Sequence, residues 1–208
     1  MSSREFISII LLGETAVGKT SLLSQYNSKQ FDKNILSTIG YEFKLNKAKI
    51  KIDGQEKMIR LKIWDTAGQL RFRQQVIITL KNCLGAILVY DVTNQESFDS
   101  INDWIQIIES KKDIDKFPIV LCGNKTDLEE SRVISYEEGE KLAQKNNFPF
   151  FEISAKENIN VNEAFQCLIE KIAEIYKNEF LDNNFLGENF TLESQTLQQN
   201  QKKKCCSK

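Results

Sequence analysis

The chain has 208 residues, 41% of them hydrophobic, which is enough for one domain with a well-buried core and a short tail. Its net charge of −1 gives no basic excess for binding nucleic acid, and no apolar run approaches the roughly 20 residues that cross a bilayer. The absence of histidine excludes Ser-His and Cys-His nucleophile pairs and histidine metal sites. The start, MSSREF, lacks the features of a signal peptide, so we expect the chain to stay in the cytosol.

The first part of the chain predicts three strands and one helix. EFISIILL (residues 5–12) is a β-rich run, followed by a glycine-containing loop and a helix from Thr20 to about Ser28. Two further strands, YEFKLNKAKIKI and KMIRLKIWD, are joined by Asp53-Gly54, a strong hairpin turn signal. The hairpin places an antiparallel strand at the edge of the predicted sheet.

The second part alternates strands and helices. GAILVYD (85–91) is apolar nearly throughout, as in a parallel strand covered on both faces. PIVLCGN and PFFEIS predict two more strands, and Ser135 and Glu138 have the spacing of a capping box for the helix between them. Thr93 and Glu96 have the same spacing before another helix. The apolar stripes of this helix and of the last one are Phe98, Ile101, Ile105 and Ile108, and Val161, Phe165, Leu168, Ile172 and Ile175.

Alternating strands and helices predict an α/β fold. We expect a single domain over residues 5–176, with a six-stranded, mostly parallel sheet, one antiparallel edge strand and helices on both faces. Residues 177–208 are rich in Asn and Gln and lack sustained periodicity, so we expect a flexible tail.

The segment GETAVGKT fits the phosphate-binding pattern Gly13-x4-Gly18-Lys19-Thr20, with a strand before it and a helix after it. In such a loop, backbone N–H groups and the helix N-terminus attract phosphate oxygens. Lys19 would reach the β- and γ-phosphates, and Thr20 would ligate Mg²⁺. The alternative is a polar turn that matches the pattern by chance.

A second motif, NKTD, follows a predicted buried strand, at the sheet edge where α/β proteins bind ligands. A carboxylate at Asp127 can accept hydrogen bonds from the N1–H and N2–H groups of guanine, and adenine has no such donor pair. The loop Ser154-Ala155-Lys156 follows the last strand and would close over the base. The alternative is that NKTD is an ordinary surface loop.

Together, GETAVGKT, WDTAGQ (64–69), NKTD and SAK resemble, in order and spacing, the small GTPases of the Ras superfamily over residues 5–176. TIGYEF (38–43), LKIWDTAGQLRFR (61–73) and YDVTNQESF (90–98) look like segments of Rab proteins. The resemblance implies a P-loop G domain that hydrolyses GTP, slowly unless an activating protein helps, and that acts as a GTP/GDP switch in vesicle-mediated membrane traffic. It also implies an exchange factor and effectors as partners.

The resemblance further implies roles for individual residues. Gln69 would orient the attacking water, Phe31 would pack against the guanine, and the Gly68 N–H would bond the γ-phosphate. Taken singly, Thr38 could instead begin a strand, Asp65 could end one, Phe31 could fill the core and Gln69 could be a solvated loop residue. The implied Mg²⁺ ligands are Thr20, Thr38 and Asp65. The implied nucleotide-binding residues are Gly13, Glu14, Thr15, Ala16, Val17, Gly18, Lys19, Thr20, Ser21, Phe31, Thr38, Asp65, Gly68, Asn124, Lys125, Asp127, Ser154, Ala155 and Lys156.

The chain departs from the Rab pattern at two positions. Leu70 replaces an acidic residue, which leaves the exchange mechanism open, and Thr79 stands where Rab proteins carry an aromatic residue that joins those matching Phe43 and Trp64 in an effector-binding patch. Thr79 is alternatively a neutral change on a solvent-exposed helix. Two other functions therefore stay open: a GTP-binding membrane scaffold that does not hydrolyse GTP, and, less well supported because lid arginines do not cluster, a P-loop kinase.

The sequence ends in KKKCCSK, whose paired cysteines, Cys205 and Cys206, resemble Rab geranylgeranylation sites. This resemblance implies prenylation machinery and a GDP-dissociation inhibitor as partners, and a location on the cytoplasmic face of endomembranes, cycling with the cytosol. Two lipid chains anchor stably where one is marginal, and Lys202, Lys203 and Lys204 favour an anionic leaflet. The alternative is an exposed, oxidation-prone pair without a role.

Overall fold

The computed structural model of the chain describes residues 6–29, 40–68 and 73–181. Strands and helices alternate along it, as the sequence pattern predicts. The strands are β1 (Ile7–Leu12), β2 (Tyr41–Ile52), β3 (Gln55–Thr66), β4 (Gly85–Asp91), β5 (Ile119–Asn124) and β6 (Phe150–Glu152). The helices are α1 (Lys19–Ser28), α2 (Arg73–Leu80), α3 (Gln95–Asp99), α4 (Ile101–Glu109), α5 (Tyr136–Lys145), α6 (Val161–Ile175) and α7 (Lys177–Leu181).

The six strands form one sheet in the order β2-β3-β1-β4-β5-β6. Strand β2 pairs antiparallel with β3, and every other neighbouring pair is parallel. Asp53 and Gly54 both have positive φ, at 49° and 79°, as the tight turn between two hairpin strands requires. The predicted fold class, a mostly parallel six-stranded sheet with one antiparallel edge strand, is confirmed.

Helices cover both faces of the sheet because successive strand residues point to opposite sides. In β1, Ile7, Ile9 and Leu11 join the core beneath α1 and α6, whereas Ile10 and Leu12 join the core beneath α2 and α4. Full burial of each such side chain contributes about 1.5–3 kcal/mol to folding. Within the described ranges, every helix is too short or too polar to span a bilayer.

The predicted capping box at Thr93 and Glu96 is wrong. The Thr93 hydroxyl donates instead to Asp91, and Asn94 caps α3 by accepting a hydrogen bond from the Ser97 backbone N–H. The predicted helix is also divided at Ser100 into α3 and α4. The box at Ser135 and Glu138 is present as predicted, with both reciprocal hydrogen bonds.

A further helix follows the predicted domain boundary at residue 176, because α7 occupies Lys177–Leu181. Phe180 is fully buried in the same core as Ile52, and its carbonyl accepts from the Lys57 ammonium at 3.4 Å. The Lys177 ammonium also donates to the Asp53 carboxylate at the hairpin turn. Phe180 stands at i+8 from Ile172 and i+4 from Tyr176, so it continues the apolar stripe of α6, and this spacing was an available sign of its packing.

Candidate functional site

Five loops meet at one edge of the sheet, because β1, β3, β4, β5 and β6 are parallel and end on the same side. The carboxyl edge of such a sheet, beside a crossover, is where α/β proteins bind ligands. The loops that follow β1, β3, β5 and β6 carry the motifs that begin at Gly13, Asp65, Asn124 and Ser154. Segments distant in sequence therefore form one site.

The loop after β1 passes so close to its neighbours that two positions accept only glycine. A Cβ at Gly13 would lie 2.1 Å from the Val89 carbonyl oxygen, and a Cβ at Gly18 would lie 2.3 Å from the Asn124 amide nitrogen. Both glycines also have φ values, 142° and 96°, that L side chains rarely adopt. Gly18 is the N-cap of α1 and no side chain caps that helix, so its first amide groups point into the loop and favour an anion.

Lys19 places a cationic group beneath this loop. Its ammonium donates to the carbonyl oxygens of Gly13 and Glu14, at 2.8 and 2.7 Å, and the residue is 5% exposed. Burial lowers the pKa of Lys19 to about 8, although the Asp65 and Glu14 carboxylates partly oppose the shift. A phosphate brought to the loop would therefore meet a desolvated lysine, where its attraction to a positive charge is strong.

The loop after β3 contacts the loop after β1 directly. The Thr20 hydroxyl donates to Asp65 Oδ2 at 2.6 Å, and Asp65 is 3% exposed. A Cβ at Gly68 would lie 2.3 Å from the backbone carbon of Glu14, so these two backbones touch. A hydroxyl and a carboxylate are the oxygen ligands that Mg²⁺ takes in phosphate sites, and the pair fits that ion. The described ranges hold no group of three or more His, Cys, Asp or Glu side chains suited to a metal.

Asn124 joins the phosphate side of the site to the other side. Its amide nitrogen donates to the Val17 carbonyl at 2.8 Å, and its amide oxygen accepts from the Ala155 N–H at 3.1 Å. The residue is 1% exposed, so both bonds form away from water, where losing a partner is costly. One side chain thus holds three loops in register.

Asp127 is held in a fixed orientation beside this junction. Its Oδ1 accepts from the Ser154 hydroxyl at 2.7 Å, and its Oδ2 lies 3.5 Å from the Lys156 ammonium. The pKa of Lys156 is raised, first by its hydrogen bond to Glu157 and then by nearby carboxylates. The carboxylate is pre-oriented, as an acceptor for two adjacent N–H donors must be.

Two contacts of the site were not predicted from the sequence. Asp91, at the end of β4, accepts from Thr93 and pairs with Lys125 at 2.6 Å, which fixes the lysine of the NKTD loop. Arg132 forms two bonds to the Glu152 carboxylate, of 2.5 and 3.1 Å, and so ties the segment before α5 to the strand that leads to Ser154. The position of Asp91 at the carboxyl end of a buried strand was an available signal; nothing local marks the pairing of Arg132 with Glu152.

The structure brings together most of the predicted site residues. Thr15 and Ala16 are exposed at the loop tip, while Val17 is buried beneath it. The predicted residues that it places around this one site are Gly13, Glu14, Thr15, Ala16, Val17, Gly18, Lys19, Thr20, Ser21, Asp65, Gly68, Asn124, Lys125, Asp127, Ser154, Ala155 and Lys156. The predictions for Phe31, Thr38, Gln69, Leu70, Cys205 and Cys206 fall outside the described residues.

Helix α2 has a solvent-exposed side, on which Ile78 is 64% exposed, but Thr79 lies on its buried side. It is 7% exposed and its hydroxyl donates to the Gln75 carbonyl at 3.0 Å, one turn earlier. Phe43 and Trp64 nevertheless meet edge to face, with ring centroids 5.1 Å apart, and Phe43 is 48% exposed. The aromatic pair is therefore accessible, and Thr79 adds no large apolar side chain to it.

Comparison with known proteins identifies the family of the chain. The sequence model of the Ras family matches residues 8–174. Rab-3B of Homo sapiens is 41% identical over 166 residues, which cover 80% of this chain and 74% of the relative. Rab-3C of Mus musculus and the GTP-binding protein Rab-3D of Rattus norvegicus are each 42% identical over 80% of this chain, covering 71% and 74% of their own lengths. The chain therefore belongs to the Ras family and is a Rab-type small GTPase.

Proposed function

We propose that the chain is a slow GTP hydrolase that acts as a switch in vesicle-mediated membrane traffic. The observation that carries this proposal is the direct contact between the loops after β1 and β3, through Thr20 with Asp65 and through Gly68 against Glu14. A γ-phosphate bound at the first loop would reach the backbone of the second, whereas GDP has no such group. The nucleotide would thereby bias the position of residues that follow Gly68.

Recognition of guanine rests on Asp127, which Ser154 and Lys156 orient from the neighbouring loop. Asn124 holds this loop against the phosphate loop, so base and phosphate are bound at a set spacing. A pocket that pairs a carboxylate with two guanine donors would leave Asp127 unpaired beside adenine, at a cost of several kcal/mol. The geometry therefore favours GTP and GDP over ATP.

For hydrolysis, we assign Thr20 and Asp65, with Thr38, to hold Mg²⁺, which when bound neutralises charge on the phosphate oxygens. Lys19 supplies a second positive charge, and Gln69 would orient the attacking water. Such a reaction needs positioning and charge, not a nucleophilic side chain. Because the proposed machinery includes no arginine at the transferred phosphate, we expect a partner to complete the site and speed the reaction.

The switch is tested by single-turnover GTP hydrolysis and by amide hydrogen exchange of the GDP-bound and GTP-analogue-bound chain. We expect slow hydrolysis that a GTPase-activating protein accelerates, and Gln69→Leu should abolish the acceleration. Exchange should differ between the two nucleotides around Gly68 and not in α5. Identical exchange with both nucleotides would overturn the switch. Absence of hydrolysis with any activating protein would favour the second candidate, a GTP-binding scaffold, to which the replacement at Thr79 lends its support.

We further propose that Cys205 and Cys206 are geranylgeranylated and hold the chain on the cytoplasmic face of endomembranes. Prenylation machinery would attach the lipids, and a GDP-dissociation inhibitor would return the chain to the cytosol. Mass spectrometry of the native C-terminus should show one or two prenyl groups. A Cys205→Ser/Cys206→Ser variant should lose membrane association; an unmodified terminus with unchanged association would overturn the anchor.

A further inference from the structure

The β2–β3 hairpin carries a strong local excess of positive charge. Residues 44–62 contain seven Lys and Arg residues but only two acidic ones, although the whole chain has a net charge of −1. The rest of the molecule is correspondingly acidic. Charge segregation of this kind creates a local potential that attracts an anionic partner to one region of a nearly neutral protein.

The pairing register places most of this charge on one side of the hairpin. Directly paired residues share a face, and the buried face, with Ala48, Ile50 and Ile59, packs into the core beneath α6. The opposite side pairs Leu45 with Lys62, Lys47 with Arg60, Lys49 with Met58 and Lys51 with Glu56. We call Lys47, Lys49, Lys51, Arg60 and Lys62 the basic hairpin face.

Within the hairpin, only Glu56 offers opposite charge on this side. It lies 3.5 Å from Lys49, but both side chains are 70% exposed, so water screens the pair. Glu163 of α6 lines the groove along the β2 edge, beside Lys47 and Lys49. Lys47 stands opposite Arg60 in the pairing register, so two residues of the same charge share one position of this face.

The shape of the basic hairpin face suits a flat partner. Its cations occupy alternate positions of two paired strands, which lie about 7 Å apart along each strand and about 5 Å apart across the pair. Met58 lies in the middle of the face and is 49% exposed, so it offers an apolar contact among the charges. The five cations are spread over both strands of the hairpin and not gathered in the groove along the β2 edge, which favours an extended surface over a peptide segment.

The chain beyond the described residues points to the identity of that surface. Helix α7 is bonded to the hairpin through Lys177 with Asp53 and Lys57 with Phe180, so residues 182–208 depart from beside the hairpin. The 24 residues that lead from Leu181 to Cys205 can reach at most about 80–86 Å when fully extended. An anchor at Cys205 and Cys206 would therefore keep the basic hairpin face within reach of the leaflet.

We propose that the basic hairpin face docks on an anionic lipid leaflet and orients the domain beside its own anchor. The proximity of this face to a leaflet rests on the proposed lipidation of Cys205 and Cys206. The electrostatic attraction between its cations and anionic lipid does not depend on that lipidation. Each Lys or Arg at an anionic surface strengthens binding about fivefold, so three of them contribute about a hundredfold. Docking would turn the sheet edge formed by β2 and β3 towards the membrane.

The test uses the full chain bound to GDP. Every variant also carries Cys205→Ser/Cys206→Ser, so that no prenyl group is attached. We would measure co-flotation with vesicles of phosphatidylcholine containing 30% phosphatidylserine, over a lipid titration. Lys47→Gln/Lys49→Gln/Lys51→Gln should weaken binding about a hundredfold and flatten its salt dependence. The matched control, Lys111→Gln/Lys141→Gln/Lys145→Gln, removes three exposed charges elsewhere and should change binding less than about twofold. Retained GDP shows that each variant is folded.

Equal loss in both triple variants would mean that total charge matters and not this face, and would overturn the proposal. So would equal binding of the unsubstituted chain to vesicles of phosphatidylcholine alone. Hairpin-dependent binding to polyglutamate with hairpin-independent binding to vesicles would assign the face to an acidic protein instead. An unmodified C-terminus in cells would defeat the proposed anchor, yet the vesicle measurement would still decide the role of the hairpin.

Discussion

At the scale of single residues, selectivity for guanine depends on how Asp127 is oriented. Asp127→Asn keeps the size of the side chain but replaces one acceptor oxygen with an NH₂ group. That group donates, so it would face one of the two N–H donors of guanine. We expect affinity for GDP to fall at least about a hundredfold, since each hydrogen bond to a charged group contributes about 1.5–3 kcal/mol. Xanthosine diphosphate, which presents an acceptor at that position, should bind the variant better than GDP does. Competition with a fluorescent nucleotide measures both.

The matched control is Asp115→Asn, which makes the same change at an exposed position. It should leave the affinity for GDP unchanged. Unaltered base preference in Asp127→Asn would remove Asp127 from the base site, and loss of all nucleotides by that variant would indicate a structural role shared with Ser154 and Lys156.

At the scale of elements, the start of α5 has a pH-dependent cap. Ser135 donates to the Glu138 carboxylate from both its N–H and its hydroxyl, and these bonds lower the pKa of Glu138 below its ordinary value of about 4.5. A lowered carboxyl pKa adds stability that is fully present above the ordinary value and is lost as the pH falls through the lowered one. Glu138→Gln should therefore reduce the slope of unfolding free energy against pH in the acid range, measured with urea at several pH values.

Ser135→Ala tests the same cap from the other side. It removes the acceptor for the Glu138 N–H and should lower the free energy of unfolding by about 1 kcal/mol at neutral pH. Glu137→Gln is the control, because Glu137 lies in the same first turn without taking part in the box. An acid slope that Glu137→Gln reduces as much as Glu138→Gln does would contradict the assignment.

At the scale of the whole molecule, α7 closes the end of the core that the hairpin leaves open. Phe180 is fully buried among residues of β2, β3 and α6, so Phe180→Ala should lower the free energy of unfolding by about 3–5 kcal/mol. Urea unfolding with bound GDP would measure it. Phe43→Ala, at a half-exposed position of the same hairpin, should cost about 1 kcal/mol.

Truncation gives an independent check on the extent of the domain. A chain that ends after Leu181 should keep the stability of the full chain, whereas one that ends after Tyr176 should lose about as much as Phe180→Ala does. Equal stability of the two truncated chains would show that α7 adds nothing to the fold.

The amino-acid pattern alone determines the strands, most helices and the phosphate loop, because each depends on neighbours in the chain. An apolar run such as GAILVYD predicts a strand that is buried on both faces, and the structure contains that strand. The spacing of Ser135 and Glu138 predicts a capping box, which the structure also contains. The sequence motif likewise identifies the two glycines of the phosphate loop. The structure adds the reason for them, which is the close approach of Gly13 to Val89 and of Gly18 to Asn124.

Tertiary structure decides the contacts between segments that are distant in the chain. The bonds from Asn124 to Val17 and Ala155 and the pairing of Asp91 with Lys125 depend on the strand order, which side-chain periodicity does not encode. The tertiary structure also decides which residue caps α3. The Thr93 hydroxyl donates to Asp91, and Asn94 instead accepts the hydrogen bond from the first turn of the helix. The sequence determines which groups can bind a nucleotide, and the parallel sheet brings them to one edge because its strands all end there.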